Sequence, residues 1–231
     1  MRYIAKSAAE LQCMSTYKAN QLAAGLAVFY DDFPDKSTLN EVLRIDQKNI
    51  CCYCMQVIDH HEGDNEAGSH NEHLQPQNGP YAKPALQMDY TNLYACCNYT
   101  KGYPPDETYC GEHKKSDLIT NFIAQANCRT FFRYNINGEI LPNGNYFTEQ
   151  EYHTNQLALP KHQQDALATI KTLNLNHPTL KKKRADLISS YIPLISHLTP
   201  QQAKGKIQKL VNAKPLPLFV EVSVYYLNQV Q

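Results

Sequence analysis

Along most of the chain, apolar residues recur at helical spacing, but one long internal stretch lacks that rhythm. The first fifty residues read as helical. Thr38-Leu39-Asn40-Glu41 has the form of a capping box, with Thr38 as N-cap and Glu41 reaching back to it. Leu39, Val42 and Leu43 follow on one face, so this helix is expected to fade near Asn49. Further on, Ser116 is placed to cap a helix carrying Ile119, Phe122, Ile123 and Ala126. Residues 131–141 read as a β-hairpin turning at Asn137-Gly138. The last third predicts helices with three apolar stripes. One holds Leu167, Ile170 and Leu173, the next Leu187, Ile188, Tyr191 and Ile195 with a kink at Pro193, and the third Ala203, Ile207, Leu210 and Val211. A last helix is expected through Phe219, Val222 and Tyr226. Such stripes more often build a core than a partner surface. No internal repeat is present.

Between residues 51 and 115 the pattern changes. The segment is polar, rich in Pro, Gly, Asn and His, and weakly periodic. A stretch this long without its own apolar core needs another source of order, and bound metal is the economical one. The cysteines agree. Of eight, Cys13 and Cys128 stand alone, while Cys51, Cys52 and Cys54 form one group and Cys96, Cys97 and Cys110 another. Cys51 and Cys54 have the spacing of a zinc knuckle, with Cys52 pointing elsewhere. The second pair is Cys110 with either Cys97 or Cys96, Cys97 being preferred. The competing reading is a set of buried free thiols.

Composition narrows the class. A hydrophobic fraction of 42% excludes wholesale disorder. There is no long apolar run and no apolar region ahead of a small-residue cleavage site, so neither a membrane span nor a secretory signal is expected. The default address is the reducing cytoplasm, where a disulfide framework is not expected. The net charge is +0, which argues against a protein that grips nucleic acid unaided and leaves room for a local basic patch or a partner.

Enclosed by the cysteine pairs lie Glu72-His73, Asn92 and, at the second knuckle, Cys110-Gly111-Glu112-His113-Lys114-Lys115. Phosphodiester hydrolysis needs a base to activate water, a divalent metal to neutralise the phosphate and leaving oxygen, and a group to fix the base. His73 suits the base, and Asn92 can fix its ring through a side-chain carbonyl. Glu72 and His113 can supply an oxygen and a nitrogen to one divalent ion, with magnesium or manganese suited to that mixed set. Lys114 or Lys115 can meet a phosphate oxygen. His70 is the alternative base.

These blocks resemble the ββα-metal (HNH) nucleases, and more narrowly the HNH subunit of Septu-type and retron-associated anti-phage systems. The narrower resemblance rests on Met1-Arg2-Tyr3-Ile4-Ala5-Lys6, Asp46-Gln47 before Cys51-Cys52-Tyr53-Cys54, and Glu72-His73-Leu74-Gln75-Pro76. Tyr90-Thr91-Asn92-Leu93, Cys110-Gly111, and Leu173-Asn174-Leu175-Asn176 with Arg184 extend it. It implies His73 as general base, Glu72 as metal ligand, Asn92 as orienter, and Cys51, Cys54, Cys97 and Cys110 on a structural zinc. The block around His113 is a residue longer than the resemblance implies, which makes Asn98 in Cys97-Asn98-Tyr99-Thr100-Lys101-Gly102 a rival metal ligand. The implied partners are an ABC or SMC-like ATPase and, in a retron, a reverse transcriptase with its DNA product.

The expected fold class is α+β: a zinc-stapled ββα core at 51–128, an N-terminal helical segment at 1–50, and a hairpin and helical region at 129–231 that docks a partner. Blander readings stand beside these. His60, His61 and His70 read as solvated, Glu62, Asp64 and Glu66 as a hydrated acidic loop. Lys181-Lys182-Lys183-Arg184 reads as a solvated helix face or a phosphate track. Two function classes remain: a metal-dependent endonuclease cutting DNA or RNA, and a zinc-stabilised nucleic-acid-binding or adaptor module without turnover.

Overall fold

The computed structural model of the chain describes residues 1–6, 10–58 and 68–230, so the residues read as a solvated loop, His60, His61, Glu62, Asp64 and Glu66, lie outside the described residues. The N-terminal part holds α1 (Gln12–Ala23) and α2 (Lys36–Asp46). Helix α2 begins ahead of the predicted cap, so Thr38 lies inside it and the box with Glu41 does not form; Asp35 occupies the cap position without a side-chain bond. Just before the helix, Phe33 packs on Tyr17 at a centroid distance of 5.4 Å. Leu39, Asn40 and Leu43 form its buried face.

That face lies across a two-stranded antiparallel sheet of β1 (Ser69–His73) and β2 (Leu93–Cys97). The register pairs Ser69 with Cys97, His70 with Cys96, Glu72 with Tyr94 and His73 with Leu93. Gln47 closes one side of the sheet by treating its amide as backbone. Its Oε1 accepts from the Ala95 N–H at 2.7 Å, and its Nε2 donates to the Ala95 carbonyl at 2.8 Å. The short helix α3 (Gly111–Lys114) follows.

The 51–115 segment is not coreless. Tyr53, Leu93, Ala95 and Cys96 are fully buried, in one hydrophobic cluster running from Met1 to Val224. Strand pairing and neighbours such as Leu39 and Phe219 supply the burial that local periodicity did not show. The predicted helix after Ser116 is also absent: residues 117–122 have no regular structure. Ile119, Phe122 and Ile123 are nonetheless buried. Phe122 packs against Phe131 in a tilted contact at 4.8 Å and edge-on against Phe132 at 5.1 Å, the Ile123 carbonyl accepts from Ile4 N–H at 2.8 Å, and Asn121 Oδ1 accepts from Ala124 N–H at 3.1 Å. Tertiary packing and a side chain competing for backbone donors outweigh the helical spacing.

The predicted hairpin is present as β3 (Phe132–Tyr134) and β4 (Ile140–Pro142). Gly138 takes φ +76° in its turn, where a Cβ would lie 2.1 Å from the Lys181 carbonyl oxygen. Helices α4 (Glu149–Thr154), α5 (Lys161–Thr172), α6 (Pro178–Ile195), α7 (Pro200–Asn212) and α8 (Val220–Leu227) complete the chain. The stripe on α5 is buried, Pro193 sits in the last turn of α6, and α8 belongs to the core. Among the described residues no helix is long and apolar enough to cross a membrane.

The basic run on α6 is not a phosphate track at Arg184. This residue is buried and donates to Gly138 O at 2.6 Å, Leu175 O at 2.7 Å and Asn176 Oδ1 at 3.1 Å. Asn176 also bonds both the N–H and the carbonyl of Ile140. Arg184 and Asn176 thus fasten the hairpin to α6.

Candidate active site and metal centre

The cysteines come together. The Sγ atoms of Cys51, Cys54, Cys97 and Cys110 all lie within 4.8 Å of one another, and all four residues are buried. Cys51 and Cys110 are 3.9 Å apart and Cys54 and Cys97 3.8 Å. Tetrahedral zinc with Zn–S bonds of about 2.3 Å sets an S···S edge of about 3.8 Å, so the quartet fits that ion. The first knuckle is a tight turn in which Met55 takes φ +65° and its N–H donates to the Cys51 carbonyl at 3.1 Å. The second is held by the end of α5: Cys110 N–H donates to Leu173 O at 2.8 Å, and Asn174 Nδ2 to Thr108 O at 2.8 Å. Cys96 instead groups with Cys51 and Cys52 and accepts from the Gly111 N–H at 3.3 Å.

Beside this staple lies a buried polar cluster. Glu72 Oε1 takes Lys114 Nζ at 2.9 Å and Tyr53 Oη at 3.1 Å, while Oε2 lies 3.3 Å from His70 Nε2. The other ring nitrogen of His70, Nδ1, is 2.6 Å from Asn98 Oδ1. His70 and Glu72 share a face because they are two apart on a strand. Burial opposes the charge on both. For Glu72 the His70 and Lys114 contacts outweigh it and lower the carboxyl pKa; for His70 the Glu72 contact outweighs it and pushes the ring up to about 10.

His73 faces the other way, at the end of β1. Its Nε2 lies 2.9 Å from the Gln87 carbonyl, and Tyr30 packs edge-on against the ring at 4.5 Å. A carbonyl only accepts, so Nε2 carries the proton and Nδ1 keeps its lone pair. Burial lowers the pKa of His73, which keeps the ring neutral at neutral pH. The ring contact expected from Asn92 is therefore made by Gln87. Asn92 braces the loops instead: Oδ1 accepts from Gln75 N–H at 2.7 Å, and Nδ2 donates to Gln75 O at 3.1 Å and Leu86 O at 3.0 Å.

His113 does not join Glu72. Its Nδ1 lies 3.0 Å from the Thr172 carbonyl, and among the described residues no metal-type cluster of His, Cys, Asp and Glu includes either residue. The rival Asn98 does reach the site, through His70. Nor does Lys114 extend toward substrate. It is buried on Glu72 and on the His73 carbonyl at 2.9 Å, whereas Lys115 is exposed. Sequence reasoning missed Gln87, whose role is carried by its backbone, and Tyr53, hidden inside the cysteine motif. The strand period around Glu72 could have raised His70 from a solvated residue to a neighbour.

No family model matches the chain. Over 160 residues, 69% of this chain and 68% of the relative, it is 26% identical to the protein named "Retron Vc95 putative HNH endonuclease" from Vibrio cholerae serotype O1 biovar El Tor, a similarity that supports kinship with the HNH nucleases.

Proposed function

We propose that the chain is a metal-dependent HNH endonuclease acting in the cytoplasm as the effector of an anti-phage defence complex. The observation that carries this reading is the state of His73: a neutral ring at a strand end, with Nε2–H fixed by the Gln87 carbonyl and Nδ1 left basic. From there Nδ1 takes the proton of an attacking water, and Asn92 holds the loops on either side of that ring. In this reading Glu72 is the metal ligand, with Asn98 rather than His113 as the second donor, and the His70 ring, whose two nitrogens are taken by these side chains, positions them rather than ligating. A carboxylate and an amide oxygen are chemistry suited to magnesium or manganese, and such an ion would neutralise the scissile phosphate and leaving oxygen. The zinc quartet and Lys114 hold the frame. Attack by water needs no 2′-hydroxyl, so DNA and RNA both fit.

The complex includes an ABC or SMC-like ATPase and, in a retron setting, a reverse transcriptase with its DNA product; the Vibrio relative carries a retron name. A neutral chain neutralises few phosphates, so a partner supplies the grip. Docking falls on the last third. Because α8 is core, its open surface there includes the end of α6, where Ile192 and Leu194 are exposed.

The test is cleavage of plasmid and of RNA by the purified chain with magnesium or manganese, with and without the ATPase. Metal-dependent cutting that disappears in His73→Ala supports the reading, and no cutting under any of these conditions overturns it. The second reading, an adaptor without turnover, is favoured by one observation: the Glu72 carboxylate is already neutralised by Lys114.

A further inference from the structure

The two cysteine groups hold six thiols, two more than a four-coordinate staple uses. Cys52 follows Cys51 in the first knuckle, Cys96 precedes Cys97 on β2, and both are buried. Consecutive strand residues point to opposite faces, so Cys96 and Cys97 address different sides of the sheet. The Sγ atoms of Cys51, Cys52 and Cys96 lie within 4.8 Å of one another, just as the quartet does, and Cys51 belongs to both groups. Cys51 and Cys96 are 3.9 Å apart, the same as Cys51 and Cys110. That separation matches the edge of a metal–thiolate polyhedron, about 3.8 Å for zinc.

We infer that the six cysteines hold two thiophilic ions: zinc in the quartet, and a second ion between Cys51, Cys52 and Cys96, with the Cys51 thiolate bridging them. A thiolate has lone pairs enough to bind two metals. Three sulfurs in a dry site suit a soft ion of low coordination number, and copper(I) is the soft ion that thiolates select. Cys52 and Cys96 give up their protons on binding. Buried Arg184, whose charge reaches Cys54 and Cys110, and Lys6, whose charge reaches Cys52, offset part of the excess negative charge. This second site is independent of whether the chain cuts nucleic acid.

The test is metal counting on the whole chain. Zinc-loaded protein is titrated anaerobically with copper(I) held by a weak competing ligand, desalted, and analysed for both metals. The expected result is one zinc retained and one copper gained, with Cys52→Ala and Cys96→Ala keeping the zinc and losing the copper. Three results overturn the inference: no copper retained, copper entering only as zinc leaves, or both variants binding as much copper as the parent. If a variant fails to fold, the parent's count of zinc and copper decides alone. A chain that takes up no zinc at the outset refutes the quartet and this site together, and leaves the nuclease reading to its own assay.

Discussion

The Lys114 ammonium lies 2.9 Å from Glu72 Oε1, with side-chain exposures of 1% and 9%. The same ammonium donates to the His73 carbonyl at 2.9 Å. One buried cation on α3 therefore ties the helix to both adjacent residues at the end of β1. Removing one partner of such a pair costs about 3–5 kcal/mol, because the other charge stays buried. Lys114→Met is expected near the lower end of that range, since Tyr53 and His70 still hold the carboxylate. Lys114→Met with Glu72→Gln should recover most of the loss, as urea unfolding of the single and double variants would show. Equal losses in both would mean that the pair does not hold the helix.

The staple makes a second prediction. Cys54→Ser should release zinc and lower the yield of folded protein, because ligation energy here is folding energy. A strong chelator should do the same to the parent chain, read as a drop in unfolding midpoint. Folded, active protein with no zinc by elemental analysis would sink this account.

His73→Ala should reduce cleavage by about a hundred- to ten-thousand-fold, the usual loss on removing a general base. Fold and zinc content should stay unchanged, since the ring is not a staple ligand. His70→Ala separates the roles: it should alter the response to magnesium or manganese while His73 remains as base. If His70→Ala abolishes cutting and His73→Ala does not, the two histidines must exchange roles.

The parts of this fold legible in the sequence were those written in short-range chemistry. The Cys51–Cys54 knuckle, the Asn137-Gly138 turn and the α5 stripe each need only a few neighbouring residues, and each is present. The failures lie mostly in long-range contacts. The burial of 51–115 and the packing of the irregular 117–122 segment come largely from contacts with residues distant in sequence, which local spacing does not encode, and in the second case the Asn121 side chain adds a local competitor for the backbone. The site divides the same way. Glu72, His73 and Asn92 were readable as types at a spacing. That a backbone carbonyl at Gln87 would hold the imidazole, or that Lys114 would turn inward to Glu72, depends on how loops cross in space. His113, expected beside Glu72 as a nitrogen donor, bonds the end of α5 through Nδ1, while its neighbour Lys114 is the residue that reaches that carboxylate.

Gly111 gives the sharpest probe of that crossing. A Cβ at this position would lie 2.7 Å from Glu72 Oε2 and 2.8 Å from His70 Nε2. Neither side chain is free to retreat, for Glu72 is held by Tyr53 and Lys114 and His70 by Asn98. Gly111→Ala should therefore displace the His70–Glu72 contact and destabilise the fold by about 1–3 kcal/mol, the usual cost of overpacking. Zinc content should hold, because the neighbouring Cys110 stays anchored through its N–H to Leu173 O at 2.8 Å. Adding His70→Ala removes the ring and opens room for the methyl group. The double variant should then be more stable than the sum of the two single losses, as contacting residues depart from additivity by about 0.5–3 kcal/mol. Strict additivity in chemical denaturation would mean that Gly111 does not press on this pair, and that α3 meets β1 some other way.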